Sequence, residues 1–500
     1  MSNEFDLIKY RKDILDTKSE SFCGAKWYNA TTWLGSGTTA SCHHPPAHKI
    51  PLHEIAVNPS AIHNTQHKKA MRKMMQNGER PRECEYCWKV EDMPTEAVSD
   101  RVYKSIIYSN DDLQKAQDAD FNDNTLLKTF EIAFDRTCNL ACSYCNSSFS
   151  TTWAKDIKKN GPYQNMVSDG AAAFQHDGEW ADPYGKKQEN PYVTAFWDWW
   201  DDGLSKSLEE LRVTGGEPLM SDQVWKLFDW FQKNPSDMRF AVNSNLIAKP
   251  SIIDKVIEKS HGLKHFHLYT SCESTGKQAE YIRDGLDYDM WYNNVVRLIK
   301  EGNCEGINIM MTVNSLCLFN ITDFLEDVFK LKEINQSKTP VFSVNLLRFP
   351  SFQSPLALPD HIKDYLRNKL SDWYEDNKDR DYWHDFEKAS IERLIDYLEV
   401  VDAPHRRTSD KMTLWRDFKT FYAQYDTRRG KTLDVFPEIL TDWVDTIPDT
   451  VTEQIVQMVD GDSTRQYDND PDLQKVADEE GWVLKPDNKN IDEALGDYDK

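Results

Sequence analysis

An α/β architecture with a parallel sheet is the fold class this sequence predicts, and three observations predict it. Between Phe130 and about Pro350, short apolar runs alternate with segments of helical periodicity. The runs have the length of strands, and the segments between them have the length of crossover helices. Capping residues stand where those helices should begin and end.

Taken in order, the strand candidates are Phe130–Phe134, Leu211–Thr214, Arg239–Ser244, His265–Thr270, Ile307–Val313 and Val341–Leu347. Their nearly continuous apolar character predicts strands covered on both faces. Val224, Leu227, Phe228 and Phe231 make one helical stripe behind the caps Ser221 and Asp222; Trp291, Val295 and Leu298 make another that stops at Gly302. In such a sheet, functional groups are expected at the C-terminal ends of the strands. Beyond Pro350 the chain turns helical, with apolar stripes Ile362, Tyr365, Leu366, Leu370, then Ile391, Leu394, Ile395, Leu398, then Leu414, Phe418, Phe421. Residues 1–95 are rich in Cys, His, Gly and Pro and poor in periodic segments, a composition that calls for a metal or another staple. The polar stretch around Asp111–Asn124 separates them from the alternating α/β segment, and the Asp/Asn/Lys-rich residues past Gly461 are expected to be loosely ordered. The expected organisation is therefore 1–95 as a metal-cluster module, 126–355 as the α/β core and 356–500 as a helical region with an acidic tail.

The formal net charge of −23 over 500 residues excludes affinity by broad phosphate neutralisation and excludes a polybasic membrane anchor. No apolar run approaches the roughly 18 residues needed to cross a bilayer. Met1 to Lys18 is charged and lacks the apolar core of a secretory signal. A soluble, cytoplasmic protein without a membrane partner is expected, and nucleic acid is disfavoured as a partner.

Seven of the ten cysteines fall into two groups with metal-ligand spacing. Cys138, Cys142 and Cys145 form a C-x3-C-x2-C loop directly after the first strand candidate. Soft thiolates suit iron–sulfur clusters or zinc. Three ligands leave one iron of a four-iron cube free to bind something else, which is a reactive arrangement.

This loop resembles that of the radical S-adenosylmethionine (SAM) superfamily, in which an aromatic residue precedes the third cysteine; Tyr144 fills that position. The resemblance continues at Thr214-Gly215-Gly216-Glu217-Pro218, similar to the family's GGEP segment, and at Glu280-Tyr281-Ile282-Arg283-Asp284-Gly285. No match to the family's glycine-rich fifth-strand motif is found. The resemblance implies a partial (β/α)6, TIM-like barrel. It implies that Cys138, Cys142 and Cys145 hold a [4Fe–4S] cluster whose open iron chelates SAM, and that Tyr144, Gly215, Gly216, Glu217, Asn245, Ser271 and Glu273 contact SAM. One electron, from an external donor such as flavodoxin or ferredoxin, then splits SAM into methionine and a 5′-deoxyadenosyl radical that abstracts hydrogen from a substrate.

The second group reads Cys23-x13-Gly37-x4-Cys42, then Cys84-x2-Cys87. Its first part is similar to the signature of SPASM and twitch domains, which implies an auxiliary [4Fe–4S] cluster held by Cys23, Cys42, Cys84 and Cys87. Here the module precedes the α/β core instead of following it, and the later cysteines of a full SPASM domain are missing. A four-cysteine zinc site accepts the same spacing. The nearby His43, His44, His48, His53, His63 and His67 read as solvated or packing residues.

Weaker signals remain. Cys272 and Cys317 sit near the ends of strand candidates, where a thiol can donate hydrogen to a substrate radical; free cysteines are commonly buried small residues. The aromatic run Phe196–Trp200 reads as core. The long segment from Asn146 to Pro191 reads as a lid or as a surface insertion. Tyr425 to Glu438 resembles tails of twitch-type proteins. The expected substrate is a peptide or protein. The rivals are small polyol or sugar dehydrogenation, RNA modification by the same chemistry, and a non-catalytic zinc-stabilised interaction protein; the acidic balance weighs against RNA.

Overall fold

The computed structural model describes residues 2–94, 97–184, 188–400, 410–449 and 470–484. The chain divides into two compact units. The first comprises Met1–Asp135, Asp182–Arg212 and Asp462–Lys500; the second comprises Arg136–Ala181 and Val213–Gly461.

In the first unit, β1 (Asn29–Trp33) turns back into β2 (Thr38–Ala40), and β3 (His48–Lys49) adds to β2, both pairings antiparallel. On its other side β1 lies parallel to β4 (Thr129–Ala133), in register from Asn29↔Thr129 to Trp33↔Ala133. None of β1–β3 was expected, because runs such as Asn29-Ala-Thr-Thr-Trp33 carry too little apolar pattern to read as strands. Their β-branched threonines instead pair across the ladder, with the Thr32 and Thr39 hydroxyls 3.0 Å apart. The core gathers Leu15, Phe22, Trp27, Met75, Trp88, Val102 and Leu113, the last from a helix (Asn110–Asp118) inside the stretch expected to be a polar spacer. Phe196, Trp199 and Trp200 are buried, and Phe196 meets Phe134 edge-on at 5.2 Å, so the aromatic run is core as expected.

The expectation of a loosely ordered segment past Gly461 is corrected in part. A helix over Pro471–Glu480 lays Leu473 and Val476 on Ala70, Met71 and Met74 of the helix Gln66–Gln76. Apolar residues three apart give this short helix a face to bury. Trp482 and Leu484 pack against the same cluster, and residues 461–469 and 485–500 lie outside the described residues.

β6 (Glu210–Thr214) carries the chain from the first unit into the second. The second unit holds β5 (Ala141–Cys142), β7 (Arg239–Ser244), β8 (Phe266–Ser271), β9 (Arg283–Asp284), β10 (Gly306–Val313) and β11 (Val341–Leu346). β11, β10, β8 and β7 are neighbours in that order, all parallel. Helices Asp222–Lys233, Pro250–Ser260, Tyr288–Glu301 and Ile321–Asn335 fill the connections. The predicted stripe Val224, Leu227, Phe228, Phe231 is buried behind Ser221 as N-cap, and the second predicted helix ends at Gly302.

One expectation fails in detail. β10 and β8 are covered on one face only, whereas β7 buries Phe240, Ala241 and Val242 in succession: in β10, Ile307, Ile309, Met311 and Val313 are buried while Asn308, Met310 and Thr312 are half-buried, and β8 alternates likewise with His267, Tyr269 and Ser271. The second face is polar and keeps solvent access, so strict alternation replaces a uniformly apolar run.

The last helices of this unit are Asp360–Asn377, Asp385–Glu399, Lys411–Arg429 and Glu438–Thr446. Their predicted stripes are buried except Ile395 and Leu414, which are partly covered, and Tyr365, which is half exposed because it lies off the face carrying Ile362, Leu366 and Leu370. The segment read as a lid or a surface insertion is packed against the C-terminal helices over its 146–181 part. Trp153, Tyr163 and Phe174 are buried against Phe421, with Tyr163 and Phe421 stacked at 5.0 Å. The buried Asp417 carboxylate accepts the amides of Val167 (3.0 Å) and Ser168 (2.7 Å).

β11 is clamped to the C-terminal helices by a wholly buried ion pair. Lys332 Nζ lies 2.8 and 2.7 Å from the two Glu387 oxygens, and Glu387 also accepts the amide of Phe342 at 2.9 Å. Removing one partner strands a buried charge, which costs about 3–5 kcal/mol. Glu387→Ala is therefore expected to lower unfolding stability by that amount in a urea titration; a shift below about 1 kcal/mol, the scale of an exposed pair, contradicts the clamp.

Candidate active site

Cys138, Cys142 and Cys145 lie on one loop of the second unit, and neighbouring elements bond its main chain throughout. The Cys138 amide donates to Thr151 Oγ1 (3.2 Å), and Thr152 Oγ1 donates to the Cys138 carbonyl (2.7 Å). Ser150, N-cap of the helix Thr151–Asn160, donates its hydroxyl to the Leu140 carbonyl (2.7 Å). The Trp153 indole donates to the Cys142 carbonyl (2.9 Å). β5 pairs antiparallel with β9, and the Ser143 amide continues the ladder to Ile282 O (2.7 Å). The Cys145 amide closes the turn on Cys142 O (2.9 Å). Cys142 is buried; Cys138 and Cys145 are partly accessible.

The segment Gly215-Gly216-Glu217 locks onto the start of this loop. Gly215 has φ +127°, a conformation open to glycine. A Cβ on Gly216 would lie 2.4 Å from Thr137 O and 2.6 Å from Arg136 O, so only glycine permits the approach. The Glu217 amide then donates to Thr137 O at 2.7 Å. The Glu217 carboxylate is buried and held within its own unit: one oxygen accepts from Leu219 N (3.0 Å) and Ser244 Oγ (2.8 Å), the other from Asn245 N (2.7 Å). Burial raises its pKa, and these three donors pull it back. The Asn245 side chain donates to Asn139 Oδ1 (2.9 Å), and its Nδ2 lies 4.0 Å from Cys138 Sγ.

At the end of β8, Ser271 is half-buried and Glu273 is fully enclosed. Arg283 of β9 clamps Glu273 in bidentate fashion, with Nε 3.0 Å from Oε1 and Nη2 2.5 Å from Oε2. The Tyr144 hydroxyl donates to Glu273 Oε1 (3.1 Å), and the guanidinium stands 5.5 Å from the Tyr144 ring centre. Arg283 Nη1 also reaches within 3.8 Å of Cys142 Sγ. Burial alone would discharge Arg283; Glu273, Tyr144 and Cys142 outweigh it, so the cation is held firmly. The structure thus gathers Cys138, Cys142, Tyr144, Glu217, Asn245 and Glu273 into one hydrogen-bonded assembly, with Cys145 on the same loop. Ser271 is brought to the strand end beside Glu273 with no bond to the others shown.

The donor set suits an iron–sulfur cluster: three thiols on one short loop, with a main-chain amide (Leu140 N, 3.4 Å) and a guanidinium directed at two of the sulfurs. Burial pushes the Cys138 thiol up to about 12 and raises Cys142 and Cys145 as well, so metal loading must displace protons.

In the first unit, Cys23, Cys42, Cys84 and Cys87 together line one small pocket, along with Lys26, His44, Arg101 and Lys104. Cys42 follows β2, while Cys84 and Cys87 straddle the start of the helix Glu85–Glu91. Gly37, at φ +65°, lets the β1–β2 turn press against Tyr192, whose ring lies 2.2 Å from where a Cβ would stand. Burial pushes the Cys42 thiol up to about 11 and Cys87 up to about 12. Lys26 pairs with Glu83 in the interior, and Glu83 also bonds His67 Nε2 (2.8 Å). Of the six histidines, His48, His53, His63 and His67 are buried, and His44 stacks on Tyr86 at 3.9 Å, as packing residues do. His43 alone is exposed. Among the described residues, no three Cys, His, Asp or Glu close around a single ion.

Several residues build the site in roles that no sequence signal assigned to them. Tyr425, on the helix Lys411–Arg429, donates to Ala141 O (3.3 Å) and Tyr281 O (3.0 Å). Gln353 donates to Ser143 O (2.9 Å), and Tyr422 donates to Gln353 (3.2 Å). Arg283 lies in the segment Glu280–Gly285 singled out by the resemblance, which assigned it no role. Cys272 and Cys317 are enclosed, their thiols donating to Ser274 O (3.4 Å) and Asn314 O (3.3 Å), as buried small residues do.

No family model matches the sequence, and no curated protein does. Among solved structures the chain is similar to SuiB of Streptococcus suis, at 15% identity and a TM-score of 0.30 over 62% of each chain. SuiB bound to S-adenosylmethionine gives 14% identity and a TM-score of 0.32, over 62% of this chain and 63% of that one. SuiB bound to its precursor peptide SuiA gives 14% and 0.31, over 65% and 64%. The match spans less than two thirds of the length of SuiB.

Gly216→Ala forces a methyl group into two backbone carbonyls. Overpacking of this kind costs about 1–3 kcal/mol, and the urea midpoint of the purified protein is expected to fall accordingly. An unchanged midpoint contradicts the close approach.

Proposed function

We propose that this protein is a radical SAM enzyme built on a partial (β/α)6 barrel, acting on a peptide or protein. Cys138, Cys142 and Cys145 are the residues that would hold a [4Fe–4S] cluster with one iron open. Cys23, Cys42, Cys84 and Cys87 would hold an auxiliary [4Fe–4S] cluster. The observation that carries the reading is the seating of Gly216 and Glu217 on the main chain of Arg136–Thr137, immediately before Cys138. A three-cysteine loop alone serves many purposes. A three-cysteine loop with a glycine pair fixed against its base offers bare backbone beside an open metal position.

The chemistry such a cluster supplies when bound is one electron for breaking a carbon–sulfur bond of SAM, giving methionine and a hydrogen-abstracting 5′-deoxyadenosyl radical. The chain's own residues bind and orient. Gly215 and Gly216 present backbone without side-chain cover. Glu217 shapes that turn by gathering Leu219, Ser244 and Asn245, and its carboxylate is the group assigned to the SAM ammonium. Tyr144, Asn245, Ser271 and Glu273 line the remaining approach. Arg283 holds Glu273 in place through its bidentate contact. Trp153, Gln353, Tyr422 and Tyr425 close the back of the loop against water. The helices beyond residue 356 and the cysteine-bearing first unit add accessory surface, which favours a peptide over a small polyol.

Anaerobic reconstitution is expected to give about eight irons per chain and a brown absorbance near roughly 400 nm. Reduced in the presence of SAM, the protein should release 5′-deoxyadenosine. A Cys138→Ala/Cys142→Ala variant should keep about four irons and lose that release. A wild-type protein that takes up zinc in place of iron, or that never cleaves SAM, defeats the reading.

A further inference from the structure

The second unit carries a groove of about 640 Å³ between the helix Thr151–Asn160 and the end of the helix Lys411–Arg429. Its cations are Lys155, Lys159, Arg428 and Arg429, against the carboxylates Asp156 and Asp284. The two arginines are largely buried and braced: Arg428 Nη1 and Arg429 Nη2 lie 3.4 and 3.5 Å from Asp156, and Arg429 Nε lies 3.2 Å from Asp284. Lys155 and Lys159 are exposed; Lys158 on the same helix is paired with Asp177 and Glu179. Lys431 adds a further charge, 2.6 Å from Asp284. Cations thus exceed carboxylates by two along the lining, on a chain whose formal charge is −23. So acidic a protein gains nothing in solubility from a basic groove. A positive concavity on a negative surface concentrates field and selects an acidic visitor.

The position of the groove is as specific as its charge. Ala141 forms part of its wall, and the next residue is Cys142; neighbouring Cα atoms are only about 3.8 Å apart. Trp153 bonds the Cys142 carbonyl from beneath the same wall, and the Arg429 guanidinium stands 4.5 Å from the Trp153 ring centre.

We infer that this groove docks a small acidic one-electron carrier protein and that the electron for the three-cysteine site enters past Ala141. The inference rests on the function proposed above and names the partner of that site. In the step, the reduced carrier loses one electron and the cluster held by Cys138, Cys142 and Cys145 gains it; no bond is made or broken and no proton moves.

The test uses the full-length reconstituted protein and a Lys155→Glu/Lys159→Glu variant, both mixed anaerobically with reduced flavodoxin in a stopped-flow instrument. For wild type, the second-order rate of cluster bleaching should fall as salt rises. For the variant it should be at least about ten-fold slower at low salt and nearly salt-independent. Reduced methyl viologen, a small cation, should bleach both proteins, the variant no more slowly than wild type. Matching circular dichroism and iron content verify that the variant is folded and loaded. If viologen bleaches nothing, the reading of the three-cysteine site fails. If viologen bleaches both proteins and flavodoxin reduces them equally fast, the docking inference falls while that reading stands. An acidic peptide that binds the wild type and not the variant, with flavodoxin reduction unchanged, also overturns it.

Discussion

A loop with thiols on three of its eight residues buries few apolar side chains, Leu140 and Ala141 among them, so its position depends heavily on hydrogen bonds to its main chain. Thr151, Thr152, Ser150 and Trp153 hold it from one helix, β9 from a two-residue ladder, Thr137 from the glycine pair, and Gln353 and Tyr425 from segments some two to three hundred residues away in sequence. Each bond is worth only about 0.5–1.5 kcal/mol net. Their value here is placement: a buried polar network fully satisfied admits one arrangement. Arg283 belongs to the same logic. Its guanidinium answers the Glu273 carboxylate, and the spare nitrogen approaches the Cys142 sulfur, so a single buried cation ties the loop to the end of β8.

The first unit handles charge differently. Lys26, Lys68 and Arg72 are all enclosed, and the ion pair to Glu83 serves only the first of them. Lys68 is bonded to Thr39 Oγ1 (2.8 Å) and His63 Nδ1 (3.3 Å), and burial pulls its pKa far down, with Arg72 and Lys26 adding to the shift. Of the three, Lys26 also lines the pocket of the four thiols, where deprotonated sulfur would relieve its electrostatic cost.

Much of the second unit was legible because its signals are local. Strand runs, the Ser221 cap, the Gly302 stop and the cysteine spacing each lie within a dozen residues, and each is where the pattern put it. The strands β1–β3 were not legible, since Asn29–Trp33 shows no alternation and its pairing with β4 depends on a partner one hundred residues on. The second face of β8 and β10 was misread because the pattern shows apolar content without showing which side is covered. Tyr422, Tyr425 and Asp417 were invisible for a related reason. An aromatic or acidic residue on a helix looks the same whether it meets water or caps a loop elsewhere, and only tertiary contact distinguishes the two.

The first unit is assembled from the beginning, the middle and the far end of the chain, and the helix Pro471–Glu480 supplies part of the cover over Met71 and Met74. During translation, those methionines leave the ribosome some four hundred residues before their cover does. The cysteine-bearing unit is therefore finished last although it is begun first. A nascent chain passes most of its synthesis with that apolar patch open, and any metal delivered early meets a half-built vessel.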